Sequence, residues 1–324
     1  MKKHVVIDTD PGVDDALALI LALRSPELQV EAVTTVNGNT GLKQCTENAL
    51  RVLEIVGLPN PPPVARGAQR PIMRKPFPSV SVHGRDGLGE VSFLTTRSGK
   101  KIYPRPRLRA VQKRAAETIC ELGARYAGEL VIVTLGPLTN LALALRHDRK
   151  LARNIKEIIA MGGAYSVSGN VTPAAEFNFF CDPEAAHEVI ASGIPITLVG
   201  LDVTLQARLS RHSLMSATRK RTKLNRFLRD STERVMNFYR ERQGYDGFCP
   251  HDALAVMVAI DRGVVGTRRI HVQIETEGKL ASGMSVADLR PYARGRTGEP
   301  NADVALFVDA ARFERFLLER ITDS

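Results

Sequence analysis

Four aspartates, Asp8, Asp10, Asp14 and Asp15, fall within eight positions of the stretch VVIDTDPGVDDALAL (5–19). Like charges this close repel one another, so the pattern needs a reason. Asp14 and Asp15 have a structural one, because acids in the first turn of a helix are favoured by the helix dipole. Asp8 and Asp10 are left unexplained. Hard oxygen donors in a tight loop suit Ca²⁺ or Mg²⁺, although the spacing is not that of an EF-hand loop. Two further patches carry complementary groups. In HDALAV (251–256), Asp252 reads as a helix cap or a distant metal ligand, and His251 as a surface residue or a proton donor near neutral pH. MGGAYSVSGNVTPAAEFNFFCDPEAA (161–186) is glycine-rich, then polar. Within it Glu176 and Asn178 lie two apart. In an extended stretch both face one side, where an acid and an amide suit sugar hydroxyls; a capped loop is the plainer account. Asp182-Pro183-Glu184 reads as a helix N-cap with proline in the first turn, a structural role.

These residues need elements to hold them. HVVID (4–8) is an apolar run ending in acid, as in a buried parallel strand, and DDALALILALRS reads as a helix. LQVEAVTTV (28–36) is the next strand and TENALRVLEIVG (46–57) the next helix. Residues 59–108, rich in Pro, Gly, Ser and Arg, read as loops. Alternation then resumes: a helix over 110–127, a strand ELVIVTL, a helix LTNLALALRHD, a strand IKEIIAMGG, a helix PEAAHEVIAS and a strand PITLVGLDVT (195–204). Residues 211–242 favour helix, HDALAVMVAID is helical, and two hairpin-like strands and a helix over 309–322 close the chain. The expected fold class is α/β: one domain over 1–324, an open, mixed and largely parallel sheet flanked by helices. In such sheets ligands gather outside the carboxyl ends of the strands. Asp8–Asp15, Asn37 and Asn39, Leu135–Asn140, Met161–Asn178 and Asp202 all follow strands, so they converge on one rim.

Composition narrows the function classes. At 44% hydrophobic and 25% charged the 324-residue chain is globular rather than disordered. No apolar stretch reaches about 18 residues, so no membrane span is expected. MKKHVVID lacks the apolar segment and cleavage site of a signal peptide, which makes cytoplasm the expected setting. Cys45, Cys120, Cys181 and Cys249 show no C-x-x-C spacing and read as reduced, mostly buried thiols. The net charge of +10 raises the question of nucleic acid. Its basic runs, RSGKKIYPRPRLR (97–109) and ATRKRTKLNRFLR (217–229), match no specific nucleic-acid motif and read as a solvated surface or a weak, non-specific polyanion contact. D-x-D after a first strand also occurs in haloacid-dehalogenase-like phosphatases, but Pro11-Gly12 follows Asp10 and the remaining phosphatase set is missing.

Taken together, DTDPGVDDALAL (8–19), TTVNGN (34–39), VHGRDGLG (82–89), LGPLTN (135–140), MGGAYSVSGN…AEFNFFCDPEAA (161–186) and HDALAV (251–256) resemble the inosine-uridine-preferring nucleoside hydrolases. The resemblance implies a Ca²⁺ ion held by the carboxylates of Asp10, Asp15 and Asp252 and the main-chain carbonyl of Leu135. It implies that Asp10 takes a proton from the attacking water. Asp14, Asn39 and Asn178 would bind the ribose 2′- and 3′-hydroxyls, and Asn170 and Glu176 the 5′-hydroxyl. Met161 would lie against the ribose and His83 near the base. His251 would protonate a purine leaving group, and Asp8 would be structural. Tyr239 and Tyr245, in the stretch NFYRERQGYD (237–246), are candidate base contacts. The partners implied are a ribonucleoside and further copies of the chain, as a dimer or tetramer. A non-catalytic Ca²⁺-stabilised nucleoside-binding protein is the alternative.

Breaking an N-glycosidic bond leaves positive charge on the ribose and negative charge on the base, which an anionic cluster and an acid on opposite sides would favour. A site built around the vicinal diol should reject 2′-deoxynucleosides by about 10⁴–10⁵ in kcat/KM, because its buried polar groups then lose their partners. A turnover panel of inosine, adenosine, guanosine, uridine and cytidine with 2′-deoxy controls, run without phosphate, measures that ratio.

Overall fold

The first strand shows why a sheet forms here. Its side chains alternate between two cores: Val5 and Ile7 join Leu17, Val33 and Val133 on one face, while Val6 joins Ala32, Ile132 and Ile158 on the other. Both faces are apolar, as in a parallel strand covered by helices on both sides. The computed structural model describes residues 2–290 and 298–323. Its strands are β1 (Lys3–Thr9), β2 (Leu28–Thr35), β3 (Val64–Arg66), β4 (Leu130–Thr134), β5 (Ile155–Met161), β6 (Ile196–Val199), β7 (Leu209–Ser210), β8 (Gly247–Phe248), β9 (Val265–Ile270), β10 (Val272–Ile274), β11 (Ser285–Ala287) and β12 (Ala302–Val308). Eight form the main sheet in the order β3-β2-β1-β4-β5-β6-β12-β9. All neighbours are parallel except β12 and β9, so the sheet is mixed and largely parallel, as the sequence led us to expect.

Helices cover both faces. Val13–Arg24 is buried along nearly its whole length and packs against His251–Ile260, whose residues Ala253 to Val258 are also buried. Among the described residues no helix is long and apolar enough to cross a membrane. The four cysteines are unpaired, with Cys45, Cys181 and Cys249 buried.

The departures from the sequence reading are local. The second helix begins at Leu42 rather than 46, because Leu42 is buried against the core and Gly41 supplies the extended entry. Only Ala115–Arg125 of 110–127 is helical; the Glu117 carboxylate accepts the Arg114 amide and sets the start. Within 59–108, β3 adds a strand too short to show a period. β6 stops at Val199, and Leu201–Thr204 turns into a short helix. A Cβ on Gly200 would lie 2.5 Å from the Tyr165 ring, so the turn needs glycine. Phe177–Cys181 is likewise a helix, not an extended stretch, because the Glu176 carboxylate caps it by accepting the amides of Asn178 and Phe179.

The sheet edge is tied by polar bonds that cross strands. Asp8 accepts from the Thr34 hydroxyl at 2.5 Å and from Asn140 Nδ2 at 2.7 Å. Asn140 also donates to the Thr35 carbonyl at 3.1 Å and accepts from the Ala68 amide at 2.8 Å. Asp8 is therefore structural, and burial pushes its pKa up to about 7. Asn140→Ala strands these buried partners and should cost about 2–4 kcal/mol of stability, measured by urea unfolding.

Candidate active site

Asp10 and Leu135 follow β1 and β4, and Asp14 and Asp15 lie in the first turn of Val13–Arg24. Asp252 enters from the first turn of His251–Ile260. Carboxylate oxygens of Asp14, Asp15 and Asp252 lie within 4.8 Å of one another, all buried. Asp15 accepts from the Thr9 hydroxyl, from the Gly12 amide at 2.8 Å and from Asn39 Nδ2 at 3.2 Å. Asp10 Oδ2 accepts the Asn39 amide at 2.6 Å, while its Oδ1 is buried with no hydrogen-bond partner. Burial pushes all four carboxyl groups toward the neutral form, and their mutual repulsion adds to it at Asp10, Asp15 and Asp252. A divalent cation would let several ionise together, and an all-oxygen donor set suits a hard ion. The orphaned Asp10 oxygen and the clustered acids fit such an ion.

Above the acids opens a cavity of about 520 Å³, a volume typical of small-molecule sites. Asp14, Asn39, His83, Leu135, Met161, Asn170, Glu176, Asn178, Tyr239, His251 and Asp252 all line it. Asn178 Nδ2 donates to the Leu135 carbonyl at 2.8 Å and to the Met161 carbonyl at 3.1 Å. Glu176 accepts the Gly163 amide at 3.0 Å, and burial raises its pKa to about 6. His83 Nδ1 accepts the Val13 amide at 3.1 Å, so its hydrogen sits on Nε2, and burial lowers its pKa to about 4. His251 Nδ1 meets the Thr204 hydroxyl at 2.8 Å, and Nε2 meets the Tyr239 hydroxyl at 3.2 Å. Burial, then the nearby His83, lowers the His251 pKa to about 4.

This geometry can be set beside known proteins. The family model described as inosine-uridine preferring nucleoside hydrolase matches residues 5–315. The chain belongs to this family. It is 36% identical over 327 residues to the inosine-uridine preferring nucleoside hydrolase of Crithidia fasciculata, covering 100% of this chain and 99% of that one. It is 38% identical to uridine nucleosidase 1 of Arabidopsis thaliana, covering 85% of this chain and 80% of that one. The purine-preferring ribonucleoside hydrolase from Gardnerella vaginalis superposes with a TM-score of 0.89 at 33% identity, with 98% of each chain covered. Nucleoside hydrolases are N-ribosyl hydrolases, and the acid cluster of this one is consistent with their dependence on a metal.

Three residues singled out in the nucleoside hydrolase sequence stand apart from the cavity wall. Asp10 and Asp15 lie beneath the cavity rather than along it. Tyr245 does not line it either, because its ring packs under the Arg208 guanidinium at 5.0 Å. Asn170 lines the cavity but is exposed, and its side-chain oxygen caps the Phe177 amide at 2.9 Å.

Several residues that serve the site were assigned no role from the sequence. Thr204 fixes the His251 ring, yet sits in a stretch that reads as strand. Asp202 accepts the Tyr165 amide at 2.9 Å and the Ser166 amide at 2.7 Å, tethering the 163–170 wall. Asp86 accepts the amides of Leu88, Glu90 and Ser92, shaping the loop after His83. Asn48 Nδ2 donates to both the Pro11 carbonyl at 2.9 Å and the Asp86 carbonyl at 2.7 Å, joining that loop to the acidic turn.

Gly136 and Gly38 explain two motif glycines. A Cβ would come within 2.4 Å of Asp10 Oδ1 at Gly136 and 1.9 Å of Asp10 Oδ2 at Gly38. Gly136→Ala therefore displaces the Asp10 carboxylate, and kcat should fall at least about tenfold while circular dichroism still reports a folded chain.

Proposed function

We propose that the chain hydrolyses the N-glycosidic bond of ribonucleosides, giving ribose and free base, with Ca²⁺ held by the carboxylates of Asp10, Asp15 and Asp252 and the carbonyl of Leu135. The observation that carries this reading is the buried acid cluster beneath a nucleoside-sized cavity, with one Asp10 oxygen left without a partner. The Leu135 oxygen already accepts from Asn178 but keeps a second lone pair. When bound, the ion supplies positive charge that balances the carboxylates and polarises oxygen atoms placed against it.

The chain's own groups do the rest. Asp10 Oδ1 is free to take a proton from the water that attacks the ribose. Asp14, Asn39 and Asn178 offer an acid and two amides to the 2′- and 3′-hydroxyls, and Glu176 and Asn170 receive the 5′-hydroxyl. Met161 lies against the sugar, and the Nε2 hydrogen of His83 is available to the base. The carboxylates favour the positive charge that builds on the ribose as the bond to the base breaks. We assign protonation of a purine leaving group to His251, oriented between Thr204 and Tyr239. With its pKa lowered to about 4, the ring is mostly neutral near pH 7, so this role rests on a small protonated fraction that is a strong acid toward the departing base. Relatives named for uridine, for inosine and uridine, and for purines support a broad base range. The resemblance also supports cytoplasmic nucleoside salvage by a homo-oligomer.

Asp10→Asn should lower kcat by at least about 10²–10⁴ while leaving nucleoside binding measurable. After treatment with EGTA, Ca²⁺ at about 100 times its Kd should raise unfolding stability by about 2.7 kcal/mol, and Asp252→Asn should abolish that rise. Ribonucleosides bound by the Ca²⁺-loaded wild type without any turnover would identify a binding protein instead.

A further inference from the structure

The two basic runs are 108 residues apart from end to start, and the fold brings them together. Glu54, near the end of the helix Leu42–Val56, is the joint: its carboxylate accepts the amides of Arg107 and Leu108, and its carbonyl accepts Lys223 Nζ at 3.3 Å. A second joint lies beside it. The Tyr103 hydroxyl donates to Asp230 Oδ2 at 2.8 Å, which Arg226 also approaches at 3.3 Å, and the Tyr103 ring packs edge-on against Phe227. The buried guanidinium of Arg51 then pins the first run from below, donating to the carbonyls of Tyr103 and Pro104.

The charge on this face is large and poorly balanced. Residues 97–109 and 217–229 hold six basic residues each and no acid. Removing those twelve from the chain's 45 leaves 33 basic residues against 35 acids, so the two runs outweigh the chain's whole net excess before the neighbouring Glu47, Glu54 and Asp230 are counted. The acids beside the runs offset only part of it: Glu54 is spent on backbone amides, Asp230 is shared between Tyr103 and Arg226, and Glu47 lies 3.9 Å from Arg105. Among the described residues the exposed side chains of Arg97, Arg107, Arg219 and Arg221 form no ion pair. Eight of the twelve are arginines, whose planar fork matches phosphate oxygens in pairs and stacks on bases. Neither run exposes a large apolar side chain that would enter a bilayer. None of the twelve lines the catalytic cavity.

We propose that this joined basic face is a docking surface for the phosphodiester backbone of a single-stranded nucleic acid, bound without sequence preference and separate from the nucleoside site. The expected contact is electrostatic, so its strength follows the number of phosphates neutralised. The partner is a polymer too large for the cavity.

Binding of a fluorescent oligo(U) RNA to the full chain, followed by anisotropy across salt concentrations, tests this. For about five phosphates the affinity should fall roughly a hundredfold between 50 and 200 mM salt. Combining Arg105→Gln, Arg107→Gln, Lys223→Gln and Arg226→Gln should weaken RNA binding at least about tenfold. Uridine turnover should stay within about twofold of wild type, which also shows that the variant is folded. The idea fails if RNA does not bind at 50 mM salt, if excess inosine displaces it, or if the four substitutions leave its affinity unchanged. It fails equally if vesicles containing phosphatidylserine bind while RNA does not. Because turnover and RNA binding are read separately, failure of the hydrolase reading leaves this result intact.

Discussion

The structure turns on the repulsion of four buried carboxylates. Asp10, Asp14, Asp15 and Asp252 are drawn from two ends of the chain into one water-poor place, where burial disfavours the charge of each and neighbouring carboxylates add to that cost at Asp10, Asp15 and Asp252. Such an arrangement is costly unless something offsets it. Backbone amides and Asn39 offset part of it at Asp10 and Asp15, but Asp10 Oδ1 remains unsatisfied. The acid cluster could hold a metal ion, and the rest of the fold is organised to keep those acids in place.

The parallel sheet supplies this organisation. β1, β2, β4, β5 and β6 end on the same side, so loops far apart in sequence meet there. Beneath the acids lie two of the most deeply buried helices, Val13–Arg24 and His251–Ile260, packed against each other. Their first turns deliver Asp14, Asp15 and Asp252. A shift of either helix would separate the carboxylates, so packing in the apolar core fixes the spacing of charges at the rim.

Much of this was legible in the sequence because it rests on local patterns. Apolar runs ending in acid marked the strands, and the crowding of Asp8 to Asp15 marked the site. What escaped depended on tertiary contact. Glu176 and Asn178 looked like same-face residues of an extended stretch, yet Glu176 caps a short helix, because three amides converge on its carboxylate. Thr204 was hidden at the end of an apparent strand that Gly200 interrupts. The three residues of β3 are too few to show a period. Tyr245 looked available as a base contact, and only the placement of Arg208 reveals where its ring is spent.

The amide of Asn48 carries one last implication. A single side chain from the helix Leu42–Val56 grips the turn before the acids and the loop after His83 at once. Floor and flank are thereby one rigid piece, anchored in the sheet's own covering layer. The cavity's remaining walls, among them Val167–Val171, Phe238 and Tyr239, come from segments that Asn48 does not bond.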